Sequence, residues 1–220
     1  MHPHTTSAIP LWFKVSYTAF MAVLIPVYWY HYGPTNFLYF CDIALLLTLV
    51  GVWRESSLLI SLPAVGILLP QALWCVDFVV QLCGFKMTGM TAYMFDETKP
   101  LFLRGLSLFH GWLPFLLVYL VFKLGYDKRA LKGWTALTIG LCLIAFYLLP
   151  QAGETLADPN LPRNVNYVFG MDDARPQTMM SAELYLVTWV GLLIMLIFIP
   201  THFVLKKLCL TPEQAAAKGA

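Results

Sequence analysis

The chain has 220 residues, 59% of them hydrophobic and 12% charged, with a formal net charge of +2. A soluble domain of this length carries about a quarter charged residues, so a water-coated globular domain is excluded. With no basic stripe interleaved with aromatics, nucleic-acid binding finds no support either. The apolar residues fall in runs of about 20, the length that crosses a bilayer. In hydrocarbon such runs must be helices, because no backbone group can go unpaired there.

The alternation of a membrane barrel is absent. The pattern predicts an all-α, polytopic transmembrane helical bundle of about six spans, forming a single domain over residues 1–220. The polar stretch Met1 to Pro10 has no basic cluster, and no small-residue cleavage site follows the next apolar run. That run, 11–30, reads as a retained first span ending in the aromatic belt Tyr28, Trp29, Tyr30. After the turn His31-Tyr32-Gly33-Pro34-Thr35 come spans at 36–53 and 56–83, the latter kinked by Pro63 and Pro70. A mixed loop, 84–100, leads to spans at 101–124 and 134–149. A polar loop, 151–178, precedes the last span at 182–200. The segment from Asn164 to Gly170 and Asp172-Asp173 reads as a turn-rich connection, too weak for a calcium site. His202 reads as an interfacial residue, and His2 and His4 as solvated.

Five cysteines, at 41, 75, 83, 142 and 209, match no zinc spacing, and no metal site is expected. Lys and Arg divide nine to five between alternate connections. Lys14, Arg54, Lys123, Lys128, Arg129, Lys132, Lys206, Lys207 and Lys218 fall on one side. Lys86, Lys99, Arg104, Arg163 and Arg175 fall on the other. The positive-inside bias then predicts both termini inside, in a multi-pass protein of the bacterial cytoplasmic membrane.

An ionisable residue at mid-bilayer costs roughly 2.5 to 3.5 kcal/mol on insertion scales, and therefore marks a candidate site. Asp42, Asp77 and His110 stand out, each five to seven residues inside the outer end of its span and so roughly 8 to 10 Å deep. Cys41 adjoins Asp42; His31 and Asn36 sit just above; Trp74, Cys75, Ser107 and Glu183 fall within about two turns of that level. A thiol, an imidazole and a carboxylate are the parts of an activated nucleophile with an oriented base. In this reading Cys41 is the nucleophile and His110 its base, with Asp77 or Asp42 orienting the imidazole. His31, Asn36, Trp74, Ser107 and Glu183 would line the substrate site. Against it, membrane bundles also use buried polar side chains simply as packing glue.

The stretch Phe40-Cys41-Asp42-Ile43-Ala44-Leu45-Leu46 resembles the His-Cys-Asp segment of the YwaF-like bacterial integral membrane family, relatives of a transmembrane cysteine acyltransferase. Ser107-Leu108-Phe109-His110-Gly111, followed by Tyr119-Leu120-Val121, is similar to that family's histidine motif. The likeness covers spans two to four, about a third of the chain. It implies acyl transfer from membrane lipids by Cys41 and His110. Phe40 stands where the family has a histidine, and the stretch from Asn164 to Gly170 has no counterpart.

Three functions stay open at this point. The first is a Cys/His lipid acyltransferase or hydrolase. The second is a proton- or cation-coupled transporter using Asp42, Asp77 and His110. The third is a non-catalytic subunit packed among other membrane subunits of a respiratory or photosynthetic complex. A haem would have only His31 and His110 at compatible depth. A quinone or carotenoid would leave no readable motif.

Overall fold

The computed structural model describes residues 7–219, which contain helices and connections and no strand. His2 and His4 lie outside the described residues. Four runs, Leu11–Tyr32, Ser57–Leu82, Leu101–Leu124 and Ala130–Leu148, are long and apolar enough to cross a membrane, as is a fifth starting at Ala182. The helices are α1 (Leu11–Tyr32), α2 (Phe40–Arg54), α3 (Ser57–Leu82), α4 (Leu101–Leu106) and α5 (Phe109–Leu124). They continue as α6 (Ala130–Leu148), α7 (Ala182–Leu192), α8 (Ile199–Leu208) and α9 (Pro212–Gly219).

The expected second span is divided. Pro34–Leu38 form a 3₁₀ turn, and Tyr39 is extended, with ψ 143°. Its carbonyl then accepts the first α2 bonds, from Asp42 and Ile43. The remaining α2 has 15 residues, about 22 Å of axis against about 30 Å of hydrocarbon. Helix α2 alone falls short of that thickness, and the 3₁₀ turn with Tyr39 supplies the rest of the passage that ends at Glu55 beside Lys14. The last span runs on past Pro200 to Leu208, with a π-helical stretch at Leu193–Phe198 between α7 and α8. Proline lacks an N–H and crowds the carbonyl four residues back, and a π-bulge widens the backbone there.

Helix α3 is the hub, packed against α2, α5, α6 and α8. Two glycines set how closely its neighbours come. A Cβ on Gly51 would fall 2.7 Å from Ile60 Cδ1, and one on Gly66 only 1.9 Å from Trp134. Trp134 is fully buried in the resulting α3–α6 seam. Ile60, Leu113, Leu117 and Leu120 complete a core with no exposure.

Both described chain ends lie at one end of the bundle. Lys14 Nζ is 2.7 Å from Glu55 at the α2 terminus. Glu55 also accepts from the Ser7 hydroxyl and from the backbone N–H groups of Ala8 and Ile9. Partial burial pushes the Glu55 carboxyl up, but Lys14, Ser7 and the two N–H groups outweigh it and bring it down to about 2. At the same end Tyr126 N donates to Leu210 O, and Asp127 N donates to Ser61 Oγ. Asp127 carries a two-pronged pair with Arg129, which holds its carboxyl below the usual carboxylate range. His202 is buried and sits 2.6 Å from the Tyr126 hydroxyl, so it is a paired residue of this end.

Candidate functional site

The opposite end carries the long loops 84–100 and 151–181, and the candidate residues lie beneath them. The N-terminus of α2 leaves orphan backbone N–H groups, as every helix does. The Phe40 N–H is taken by Asn166 Oδ1 at 3.0 Å, and Asn166 Nδ2 donates to Leu38 O at 2.9 Å. One amide of a distant loop therefore clamps both sides of Tyr39. Trp189 Nε1 in turn donates to Asn166 O. Asn164 braces the same loop from within, donating to Gly170 O and accepting from Phe169 N. Asn164, Asn166 and Tyr167 all adopt left-handed φ, +51°, +59° and +60°. Such conformations cost about 1–3 kcal/mol each and persist only where their surroundings hold them.

Cys41 and Asp42 occupy the first turn below this clamp. Asp42 is buried; its Oδ2 accepts from Asn36 Nδ2 at 3.4 Å and from Cys41 Sγ at 3.6 Å. Among the described residues its Oδ1 has no partner. Tyr28, Tyr39 and Tyr93 lie within electrostatic range of both Cys41 and Asp42, and Tyr167 of Cys41. The Tyr28 hydroxyl is 2.7 Å from Ser107 Oγ.

Among the described residues no hydrogen bond joins His110 to the thiol. Its Nδ1 is 2.8 Å from Ser107 O; a carbonyl only accepts, so Nδ1 carries the hydrogen and Nε2 keeps its lone pair. The ring stacks on Trp74, with centroids 5.2 Å apart, and on Phe109. Pro114 has no N–H to give the His110 carbonyl, and Cys75 Sγ approaches that oxygen at 3.8 Å. The orienting group for the imidazole is thus the Ser107 carbonyl.

Asp77 has a different task. Its Oδ1 accepts from Thr88 N, Thr88 Oγ1 and Gly89 N, and its Oδ2 from Thr91 N and Thr91 Oγ1, at 2.6 to 3.3 Å. All five donors belong to the loop after α3, which Asp77 ties down. Glu183 is exposed in the first turn of α7, without a hydrogen bond to the site residues. His31 lies higher, lining a cleft of about 410 Å³ with Tyr32, Asp96, Lys99 and Asn160.

The packing registers give relative heights. Gly51 meets Ile60, so Asp42, nine residues earlier, stands beside residue 69 of α3. His110 stands beside Trp74, about five residues, or roughly 7 Å, nearer the loop end. The sequence-derived layer is therefore a band of about two turns. Gln71, which sequence reasoning passed over, shares a face of α3 with Ile60, because 11 residues make just over three full turns. It is 3% exposed, and neither amide atom has a partner among the described residues. Trp74 Nε1 is also unpaired; the Tyr93 hydroxyl approaches the indole without reaching hydrogen-bond geometry. The signal that could have found Gln71 is an amide in an otherwise apolar half-helix. Nothing local in the sequence points to Asn166.

No protein-family model, no curated protein and no solved structure matches this chain, so the site stands on its own geometry.

Proposed function

We propose that this chain is an integral membrane protein that transfers or hydrolyses lipid acyl groups through Cys41. The contact between Cys41 Sγ and the buried Asp42 carboxylate carries the reading. In a low-dielectric site that carboxylate is a proton acceptor already placed against a thiol. Cys41 Sγ attacks the ester carbonyl of a lipid; the C–S bond forms and the C–O bond to the glycerol oxygen breaks. The thiol proton passes to Asp42 and then to the leaving alkoxide. An acceptor alcohol or water next takes the acyl group and restores the thiol. His110, with a free Nε2 and a fixed ring, is positioned to deprotonate that acceptor. The nine-to-five division of Lys and Arg supports a bacterial cytoplasmic membrane orientation with both termini inside.

The test is acyl release from radiolabelled phospholipid by the purified protein, with mass analysis for a hydroxylamine-labile adduct on Cys41. Full activity in Cys41→Ala would sink the proposal. A second reading, proton-coupled transport, draws on the unpaired Asp42 Oδ1 and the unpaired Gln71 amide. It calls for proton flux into liposomes that Asp42→Asn abolishes and Cys41→Ala leaves intact. Exposed apolar flanks such as Leu11, Trp12, Phe115 and Val187 suit lipid or the helices of other membrane subunits.

A further inference from the structure

The cleft at the loop end is bounded by the last turn of α1, the segment entering α4 and the tip of the 151–181 loop. His31, Tyr32, Asp96, Lys99 and Asn160 line it. Its charges are arranged unusually. Lys99 Nζ rests over the Tyr32 ring, 5.6 Å from the centroid, and makes no ion pair among the described residues. Asp96 lines the same cavity, with Oδ1 taken by Thr98 N and Thr98 Oγ1 and Oδ2 without a hydrogen bond among the described residues. Thr98 holds the Asp96 carboxyl below the usual carboxylate range, so it is charged at neutral pH. An ammonium and a carboxylate thus share one cleft and do not close on each other. A phosphate and an ammonium joined in one molecule complement that separation.

The cleft also stands above the reactive residues. Tyr32 packs edge-on against Tyr28, with centroids 5.4 Å apart. Tyr28 reaches Ser107 and feels Asp42. Four residues of α1 separate the two tyrosines, roughly 6 Å along the axis. A glycerol unit bridges a comparable step between a head-group phosphate and an acyl ester.

We propose that this cleft binds the head group of a zwitterionic phospholipid, with the phosphate on Lys99, His31 and Asn160 and the ammonium on Asp96. This deepens the acyl-transfer reading by naming its substrate class, and it rests on that reading for its place in a reaction. Binding itself does not need the reaction, so the test uses Cys41→Ala protein in nanodiscs and reads which lipids stay bound by native mass spectrometry. Phosphatidylcholine or phosphatidylethanolamine should be retained over phosphatidylglycerol by about tenfold, and Lys99→Gln should remove most of that retention. Asp96→Asn should invert the preference toward phosphatidylglycerol while thermal unfolding stays unchanged, a readout that a purely structural role for Asp96 would not produce. Equal retention of zwitterionic and anionic lipids, or a preference untouched by Asp96→Asn, would overturn the assignment. Displacement of the lipid by phosphocholine as readily as by whole phospholipid would also overturn it, in favour of a soluble phosphate ester. Selective retention together with no acyl release by the unsubstituted protein would keep the head-group site and remove the acyl-transfer reading alone.

Discussion

Asp42 and Asp77 are two buried carboxylates on adjacent helices, near the same end of the bundle, and they have opposite surroundings. Asp77 accepts five hydrogen bonds from the loop that follows its own helix. Asp42 accepts two long ones and keeps an oxygen with no partner. Buried polar groups are nearly always hydrogen-bonded, and each exception calls for an explanation. A saturated carboxylate such as Asp77 ties down its loop, whereas the under-satisfied Asp42 beside a thiol is the one that the proposed reaction uses. Solvent exposure alone does not separate them, since both are nearly inaccessible.

The sharpest test of this contrast is to neutralise each in turn. Asp42→Asn should lower acyl release by about 100-fold or more, the span expected when a proton-transfer group is lost, while thermal unfolding in detergent barely moves. If release survives that substitution, the two aspartates belong to the same class. Asp77→Asn should do the reverse. It replaces a charged acceptor of five donors, at a cost of about 2–4 kcal/mol, and should make loop 84–100 an early site of limited proteolysis, with turnover per folded molecule retained.

A third substitution tests what holds the Asp42 end in place. Asn166→Ala leaves the Phe40 N–H and the Leu38 carbonyl without their partner, a loss of about 1–3 kcal/mol. Hydrogen exchange should quicken at the first turn of α2 and stay unchanged in loop 84–100. Equal quickening in both would mean that the two carboxylates share one cooperative unit.

The smallest effect lies at the far end. Glu55 is brought down from 4.5 to about 2 by its partners, against the upward push of partial burial. Its folded value is depressed, so the stability it contributes is present above about pH 4.5 and fades as pH falls toward about 2. Residues 7–10 should loosen over that window, seen as earlier trypsin cleavage at Lys14 after acid treatment. Glu55→Gln should already be loosened at neutral pH and insensitive to acid.

Much of the fold was legible without coordinates, because an apolar run long enough to cross a bilayer carries its own instruction. Leu11–Tyr32, Ser57–Leu82 and Leu101–Leu124 fall close to the expected limits. The division at Tyr39 and the extension past Pro200 were not foreseen, since each depends on how freed backbone groups find new partners. Of the site, Cys41, Asp42 and Asn36 meet as neighbours and Ser107 pairs with Tyr28, while His110 is held by a carbonyl.

The sequence by itself determined that the chain is helical and membrane-embedded, and that rare polar residues cluster toward one end of the spans. Both follow from composition along a single helix, where cost and spacing are local. Only the tertiary structure decided which polar group answers which. Asp77 finds its donors 11 to 14 residues away, but the Phe40 N–H finds Asn166 at a distance of 126 residues. A hydrogen bond is directional and short, and no pattern along one helix specifies a partner delivered by another part of the chain.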